Sequence, residues 1–141
     1  MSMRVLVTGA SGFIGRALCA RLLREGHLVR GALRQTKALP EGVEPCIVGP
    51  IGAHTDWSAA VHNVDAVVHL AARAHVTHDR AADPLTAFRQ TNVDGSLSLA
   101  RQAAAAGVQR FIFIRPIAVN GRQTRGVAFT ADDVAAPQAP H

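Results

Sequence analysis

Residues 8–15, TGASGFIG, stand between a short apolar run and a segment with helical periodicity. The run, MRVLV at residues 3–7, is apolar on both faces, which is typical of a central strand in a parallel sheet. From Phe13 the apolar spacing becomes helical, and Gly26 follows as a C-terminal cap. The stretch therefore predicts a strand, a glycine-rich turn and a helix. The predicted apolar face of this helix consists of Ile14, Ala17, Leu18 and Leu22.

Further strands and helices are predicted along the chain in the order β-α-β-β-α-β-α-β. The remaining strands are HLVRGAL (27–33), PCIVG (45–49), VDAVVHLAA (64–72, ending near Leu70) and RFIFI (110–114). The remaining helices cover 56–61 and 83–107, the longer one with Asp83 as N-cap and Pro84 at its first position. The stripe of that helix predicted to face the sheet consists of Leu85, Phe88, Asn92, Ser96, Leu99 and Ala103.

This order predicts an α/β fold of the Rossmann type. Right-handed crossovers favour an open parallel sheet of about five strands in the order 3-2-1-4-5, with helices on both faces.

Gly9, Gly12 and Gly15 have the spacing G-x-x-G-x-x-G at the predicted strand-to-helix turn. Gly9 permits the tight turn, Gly12 lets the backbone approach a pyrophosphate, and Gly15 lets the helix pack closely on the strand. The helix N-terminus offers free N–H groups to phosphates. A glycine-rich turn without a ligand is the alternative, but the flanking strand and helix favour dinucleotide binding, with Ser11 as a phosphate contact.

The end of the second predicted strand, RGALRQTK at 30–37, indicates which dinucleotide is bound. An acidic residue there would hold the ribose 2′-hydroxyl of NAD, but no carboxylate is present. Arg34 can pair with a 2′-phosphate, so NADP is favoured over NAD. The alternative is that Arg34 is an ordinary surface residue and the cofactor is NAD.

The formal charge of +5 comes almost wholly from arginines spread singly along the chain. Such a pattern predicts a solvated basic surface and argues against nucleic-acid binding. Two isolated cysteines, no membrane-length apolar stretch and no signal segment predict a cytoplasmic protein with no membrane partner. His75 and His78 lack further ligands nearby, so no metal site is predicted.

Three motifs resemble the NAD-dependent epimerase/dehydratase family of extended short-chain dehydrogenases/reductases, which includes UDP-glucose 4-epimerase. They are VLVTGASGFIG (5–15), VDAVVHLAA (64–72) and TNVDGSLSLARQAAAAGVQRFIFI (91–114). The resemblance implies nucleotide-sugar substrates and hydride transfer through a keto intermediate. The cofactor-binding residues predicted from the motifs and from this resemblance are Gly9, Ser11, Gly12, Phe13, Ile14, Gly15, Arg34, Leu70, Ala71, Ala72 and Asn92.

The chain departs from the family pattern at its catalytic positions. Pro116, preceded by Arg115, stands where the family has a catalytic Ser or Thr, and His141 stands at the family's tyrosine. Proline cannot donate or accept the hydrogen bonds that a hydroxyl supplies there. No catalytic residue is therefore predicted. Pro50 also replaces an aspartate that in the family often contacts the adenine amine.

The sequence is expected to form one NAD(P)-binding domain over 1–141, mostly loop after residue 121, without the family's C-terminal substrate domain. It is expected to be a truncated portion with little or no turnover, which meets a nucleotide sugar only if the missing part is supplied. The alternative is a catalytically silent NADP-binding sensor or regulatory module. The apolar segment 110–114 is expected to form an exposed sheet edge and to mediate self-association.

Overall fold

The computed structural model describes residues 1–72 and 83–114, which contain a five-stranded parallel sheet. The order β3-β2-β1-β4-β5 confirms the predicted fold and topology. The strands are β1 Arg4–Thr8, β2 Leu28–Leu33, β3 Glu44–Ile47, β4 Ala66–His69 and β5 Arg110–Phe113. The helices are α1 Phe13–Arg24, α2 Ser58–Val61, α3 Pro84–Arg89 and α4 Ser96–Ala105, with a π-helical segment, Gln90–Gly95, between the last two.

β1 lies at the centre of the sheet and contributes side chains to a core on each face. Val5 and Val7 belong to one core, in which Cys19 of α1 is buried. Leu6 belongs to the other, together with Trp57 and with Leu99 of α4. Both faces are therefore covered by helices, as predicted, which explains why the central residues of β1, Val5, Leu6 and Val7, are all apolar.

The first helix ends as predicted, but only part of its predicted apolar face is buried. Gly26, with φ of +85°, closes a Schellman motif in which its own N–H and that of His27 bond to carbonyls in the last turn of α1. Ile14 is exposed, whereas Gly15 and Cys19 are buried. The predicted face was therefore wrong at Ile14 and Ala17, which are both exposed, whereas Leu18 and Leu22 pack against the core as predicted.

The predicted long helix 83–107 is not a single α-helix. Asp83 caps α3 as expected, accepting the Thr86 N–H at 3.3 Å, but the π segment adds a wider turn before α4 begins. The extra width breaks the 3.6-residue period, so Leu85 is exposed while Leu99 is buried. A Cβ on Gly95 would lie 2.4 Å from Cγ2 of Ile51, which shows how closely this segment packs on the loop after β3.

β5 forms one edge of the sheet among the described residues, and its apolar side chains are exposed. Phe111, Ile112, Phe113 and Ile114 are between 37% and 53% accessible. Within the two described ranges, no helix is both long enough and apolar enough to cross a membrane.

Candidate functional site

The candidate site lies where β1 and β4 end side by side. Thr8 and His69, the last residues of these strands, are register partners. From β1 the chain continues to β2 on one side, whereas β4 lies on the other side, so the strand order reverses here. In open α/β sheets, ligands bind in the crevice outside the carboxyl ends of the strands at this switch point.

The glycine-rich turn is shaped by contacts that exclude side chains. Gly9 has φ of +65°, and a Cβ there would lie 3.0 Å from the Ala71 backbone nitrogen. A Cβ on Gly15 would lie 2.1 Å from the Gly9 carbonyl oxygen. Gly12 is different: it is exposed, and among the described residues the one near neighbour of a Cβ there would be the same oxygen at 3.3 Å. Gly9 and Gly15 therefore serve packing, and Gly12 leaves an open backbone surface.

That open surface leads directly into the N-terminus of α1. Gly12 is the N-cap residue, no side chain caps the helix, and the first turn has no acidic residue. The first-turn amides of Phe13, Ile14 and Gly15 have no acceptor within the helix, and the helix dipole places positive charge here. The turn therefore fits a pyrophosphate, which supplies the oxygen acceptors that these amides lack.

Arg16 has a structural role at this turn that sequence analysis did not predict. Its Nε donates to the Ser11 carbonyl at 3.1 Å and its terminal nitrogen donates to the Ala38 carbonyl at 2.7 Å. The side chain thus ties the glycine-rich turn to the segment that follows β2. In the sequence Arg16 looked like any other arginine on the outer face of the helix.

Buried polar groups join the two strand ends. The Thr8 hydroxyl accepts the N–H groups of Leu70 and Ala71, both at 3.0 Å, and lies 2.6 Å from Nδ1 of His69. Nε2 of His69 lies 2.8 Å from the Ser96 hydroxyl. Burial lowers the pKa of His69 to about 4, so the ring is neutral at physiological pH. The only indication of this buried polar cluster in the sequence was a histidine at the end of an apolar strand.

The structure brings most of the predicted cofactor residues together. The glycine-rich turn, with Ser11, Phe13 and Ile14, adjoins Leu70 and Ala71 through the Gly9 contact, and the exposed Ala72 follows. Asn92 is half-buried in the π segment, and its carbonyl accepts the Ser96 hydroxyl at 2.8 Å. Pro116 and His141 lie outside the described residues.

Arg34 follows the last residue of β2 and is exposed. Within the described ranges it takes part in no hydrogen bond or ion pair. Among the described residues its guanidinium therefore has no competing anionic partner.

No group of three His, Cys, Asp or Glu side chains that could hold a metal ion occurs in residues 1–72 and 83–114. His75 and His78 lie outside those ranges.

Comparison with known proteins places this geometry in a family. The sequence profile of the NAD dependent epimerase/dehydratase family matches residues 5–141. A UDP-glucose 4-epimerase of Vibrio cholerae is 42% identical over 98% of this chain, which spans 42% of that protein. A UDP-glucose 4-epimerase of Klebsiella pneumoniae is 34% identical over 87% of this chain and 96% of that protein.

Solved structures agree with the sequence comparison. An Agrobacterium tumefaciens short-chain dehydrogenase/reductase superfamily protein with bound NAD has a TM-score of 0.77 at 32% identity, over 97% of this chain and 40% of that one. A Stenotrophomonas maltophila UDP-glucose-4-epimerase with NAD and formylated UDP-arabinopyranose has a TM-score of 0.78 at 27% identity, over 98% and 44%. The chain therefore belongs to the NAD dependent epimerase/dehydratase family.

Proposed function

We propose that this chain is the NAD(P)-binding part of a nucleotide-sugar epimerase/dehydratase. The main support for the proposal is the N-terminus of α1, which no side chain caps. It lies at the switch point of the sheet, next to the open backbone of Gly12. When bound, the nicotinamide dinucleotide supplies the hydride acceptor. The chain's own residues bind the phosphates through backbone amides and orient the cofactor against the ends of β1 and β4.

The proposed substrate class is a nucleotide sugar. Two relatives that are UDP-glucose 4-epimerases and the UDP-sugar in the Stenotrophomonas structure support this class. The chain spans less than half of the Vibrio relative. We therefore propose that the sugar binds only when a C-terminal substrate-binding part is supplied.

We further propose that the chain as it stands has little or no turnover. Pro116 at the family's Ser/Thr position offers no hydroxyl, and His141 replaces the tyrosine. The same replacements, beside an intact glycine-rich turn, support a second candidate function: a catalytically silent dinucleotide sensor or regulatory module. An assay with UDP-glucose and cofactor tests the low turnover that both candidate functions imply, because appearance of the epimer or of reduced nicotinamide would contradict both of them.

Replacing Gly12 with alanine tests dinucleotide binding separately from folding. The Gly12 backbone, with φ of −77° and ψ of 174°, suits alanine, so stability should change by less than about 1 kcal/mol. The new methyl group occupies the surface that the pyrophosphate must approach, so we expect affinity for NAD and NADP to fall at least about tenfold in calorimetric titration. Gly52→Ala is the matched control, because within residues 1–72 and 83–114 a Cβ there meets nothing closer than 3.9 Å. Equal affinity of the Gly12 variant and the unaltered protein would contradict the proposal.

For the choice of cofactor we propose NADP. Support comes from the exposed Arg34 and the absence of a carboxylate in RGALRQTK, although the solved relatives described above hold NAD. A charge-assisted bond to the 2′-phosphate contributes about 1.5–3 kcal/mol, so Arg34→Ala should weaken NADP binding about tenfold or more and leave NAD binding almost unchanged. Arg24→Ala, at the far end of α1, is the control. Tighter binding of NAD than NADP by the unaltered protein would show that the cofactor is NAD.

A further inference from the structure

A continuous run of polar groups connects the end of β4 to the π segment. It passes from the amides of Leu70 and Ala71 to the Thr8 hydroxyl, then through both ring nitrogens of His69 to the Ser96 hydroxyl and the carbonyl of Asn92. Every step lies between 2.6 and 3.0 Å. Thr8 and His69 are completely inaccessible to solvent, so their mutual contact is buried, while the other bonds of the run are part-buried.

Only one assignment of hydrogen-bond donors and acceptors is possible along the run. A hydroxyl has two acceptor sites and one hydrogen, and Thr8 uses both acceptor sites for the two amides. Its hydrogen must therefore be donated to Nδ1 of His69, which leaves the ring proton on Nε2. Nε2–H donates to the Ser96 hydroxyl, whose own hydrogen is donated to the Asn92 carbonyl. Contacts at both ring nitrogens thus define a single neutral tautomer of His69.

Two aromatic rings of β5 hold the imidazole in this orientation. Phe113 stacks on it with ring centroids 5.6 Å apart and an interplanar angle of 25°, and Phe111 lies at 6.3 Å. A protonated imidazole would direct a second N–H at the Thr8 oxygen, which has no acceptor site left. The packing and the hydrogen bonds therefore both favour the neutral imidazole with its proton on Nε2.

The far end of the run lies where the π segment passes into α4. In the π segment the backbone bonds run from residue i to i+5, and a serine hydroxyl bonded to the carbonyl four residues earlier adjusts the helix locally. Ser96 makes that bond to Asn92, and His69 fixes which way the serine hydroxyl points. The ring thus links the end of β4 to the π segment through the Ser96 hydroxyl.

We propose that His69 is a positioning residue that, as the Nε2–H tautomer, couples the Leu70–Ala71 backbone beside the glycine-rich turn to the π segment carrying Asn92. The proposal rests on the proposed function, because both coupled elements contribute residues to the dinucleotide site. His69 itself need not touch the cofactor.

The tautomer is tested directly by NMR of the ¹⁵N-labelled protein at neutral pH without any ligand. We expect the His69 ring to show a protonated Nε2 and an unprotonated, hydrogen-bond-accepting Nδ1. A protonated Nδ1, an imidazolium or a mixture of tautomers in exchange would overturn the assignment, because each is incompatible with the direction derived from Thr8.

The coupling is tested by removing the Ser96 hydroxyl. Ser96→Ala should shift the Leu70 and Ala71 amide resonances and speed their hydrogen exchange, although the substitution lies on a different element. It should also weaken dinucleotide binding about fivefold, the effect of one lost hydrogen bond. Ser96→Thr, which keeps the hydroxyl, should restore both. Ser98→Ala is the matched control, because this buried serine bonds to Gln102 and not to the run.

The outcomes separate this proposal from the proposed function. If the unaltered protein binds neither NAD nor NADP, the proposed function fails, and the tautomer and exchange measurements still decide the coupling. If it binds a dinucleotide but Ser96→Ala changes neither amide exchange nor affinity, the coupling is overturned and the proposed function stands.

Discussion

His69 shows how burial sets the charge of a single side chain. With its pKa lowered from 6.5 to about 4, it takes up a proton in the unfolded chain at a higher pH than in the native protein. Between those values the unfolded state binds more protons, so the free energy of unfolding should fall as pH drops from 6.5 to 4, by about 3 kcal/mol in all. The lowered pKa values of Asp56 and Asp83 act in a different window, because their contributions are lost only below about pH 3.8.

Urea unfolding measured at several pH values checks this prediction, with fluorescence of Trp57, the chain's one tryptophan, as the signal. His69→Gln should remove most of the slope between pH 4 and 6.5. If the free energy of unfolding depends on pH equally in that variant and in the unaltered protein, titratable groups other than His69 cause the dependence.

At the scale of the element, Arg30 shows that a residue in a strand can stabilise a helix. It projects from β2, and one terminal nitrogen donates to the carbonyls of Ala59, Ala60 and His62 at 2.8–3.0 Å, at the end of α2. Its Nε pairs with Glu44 at 3.2 Å. The expected solvated basic surface was therefore wrong for this arginine, whose side chain is only 8% exposed.

Replacing Arg30 with methionine keeps much of the side chain's volume but leaves the three carbonyls without their donor. We expect a loss of about 1.5–3 kcal/mol in the free energy of unfolding, because hydrogen bonds to a charged group are removed from a buried place. Arg21→Met, which breaks the exposed pair with Glu25, should cost less than about 0.5 kcal/mol. Urea denaturation of the two variants measures the difference, and equal losses would refute the argument.

For the whole molecule, the exposed edge strand raises the question of association. Among the described residues β5 pairs only with β4, and four consecutive apolar side chains are open to solvent. An edge of this kind is a template for pairing with another chain, so self-association through residues 110–114 stays our prediction.

Light scattering over a concentration series tests this association. Ile112→Lys should shift the protein towards monomer, because it places a charge on the edge strand; Ile112 alternates with the two phenylalanines that flank His69, so their packing is retained. Leu97→Lys, at an equally exposed leucine on α4, should leave association unchanged. A monomer at every concentration of the unaltered protein would contradict the prediction.

The sequence by itself determined the features that depend on neighbours along the chain. Apolar runs, helical periods, the Asp83 cap and the spacing of Gly9, Gly12 and Gly15 identify the fold, the turn and the family, because turns and caps are local and parallel sheets follow a few connection rules. Tertiary structure alone decided the tether made by Arg16, the burial of Arg30, the π segment and the partners of His69. Each depends on groups brought together from distant parts of the chain, and Thr8 and His69 are 61 positions apart. A one-dimensional pattern carries no information about which groups will meet in this way, since that is settled by how the strands and helices pack.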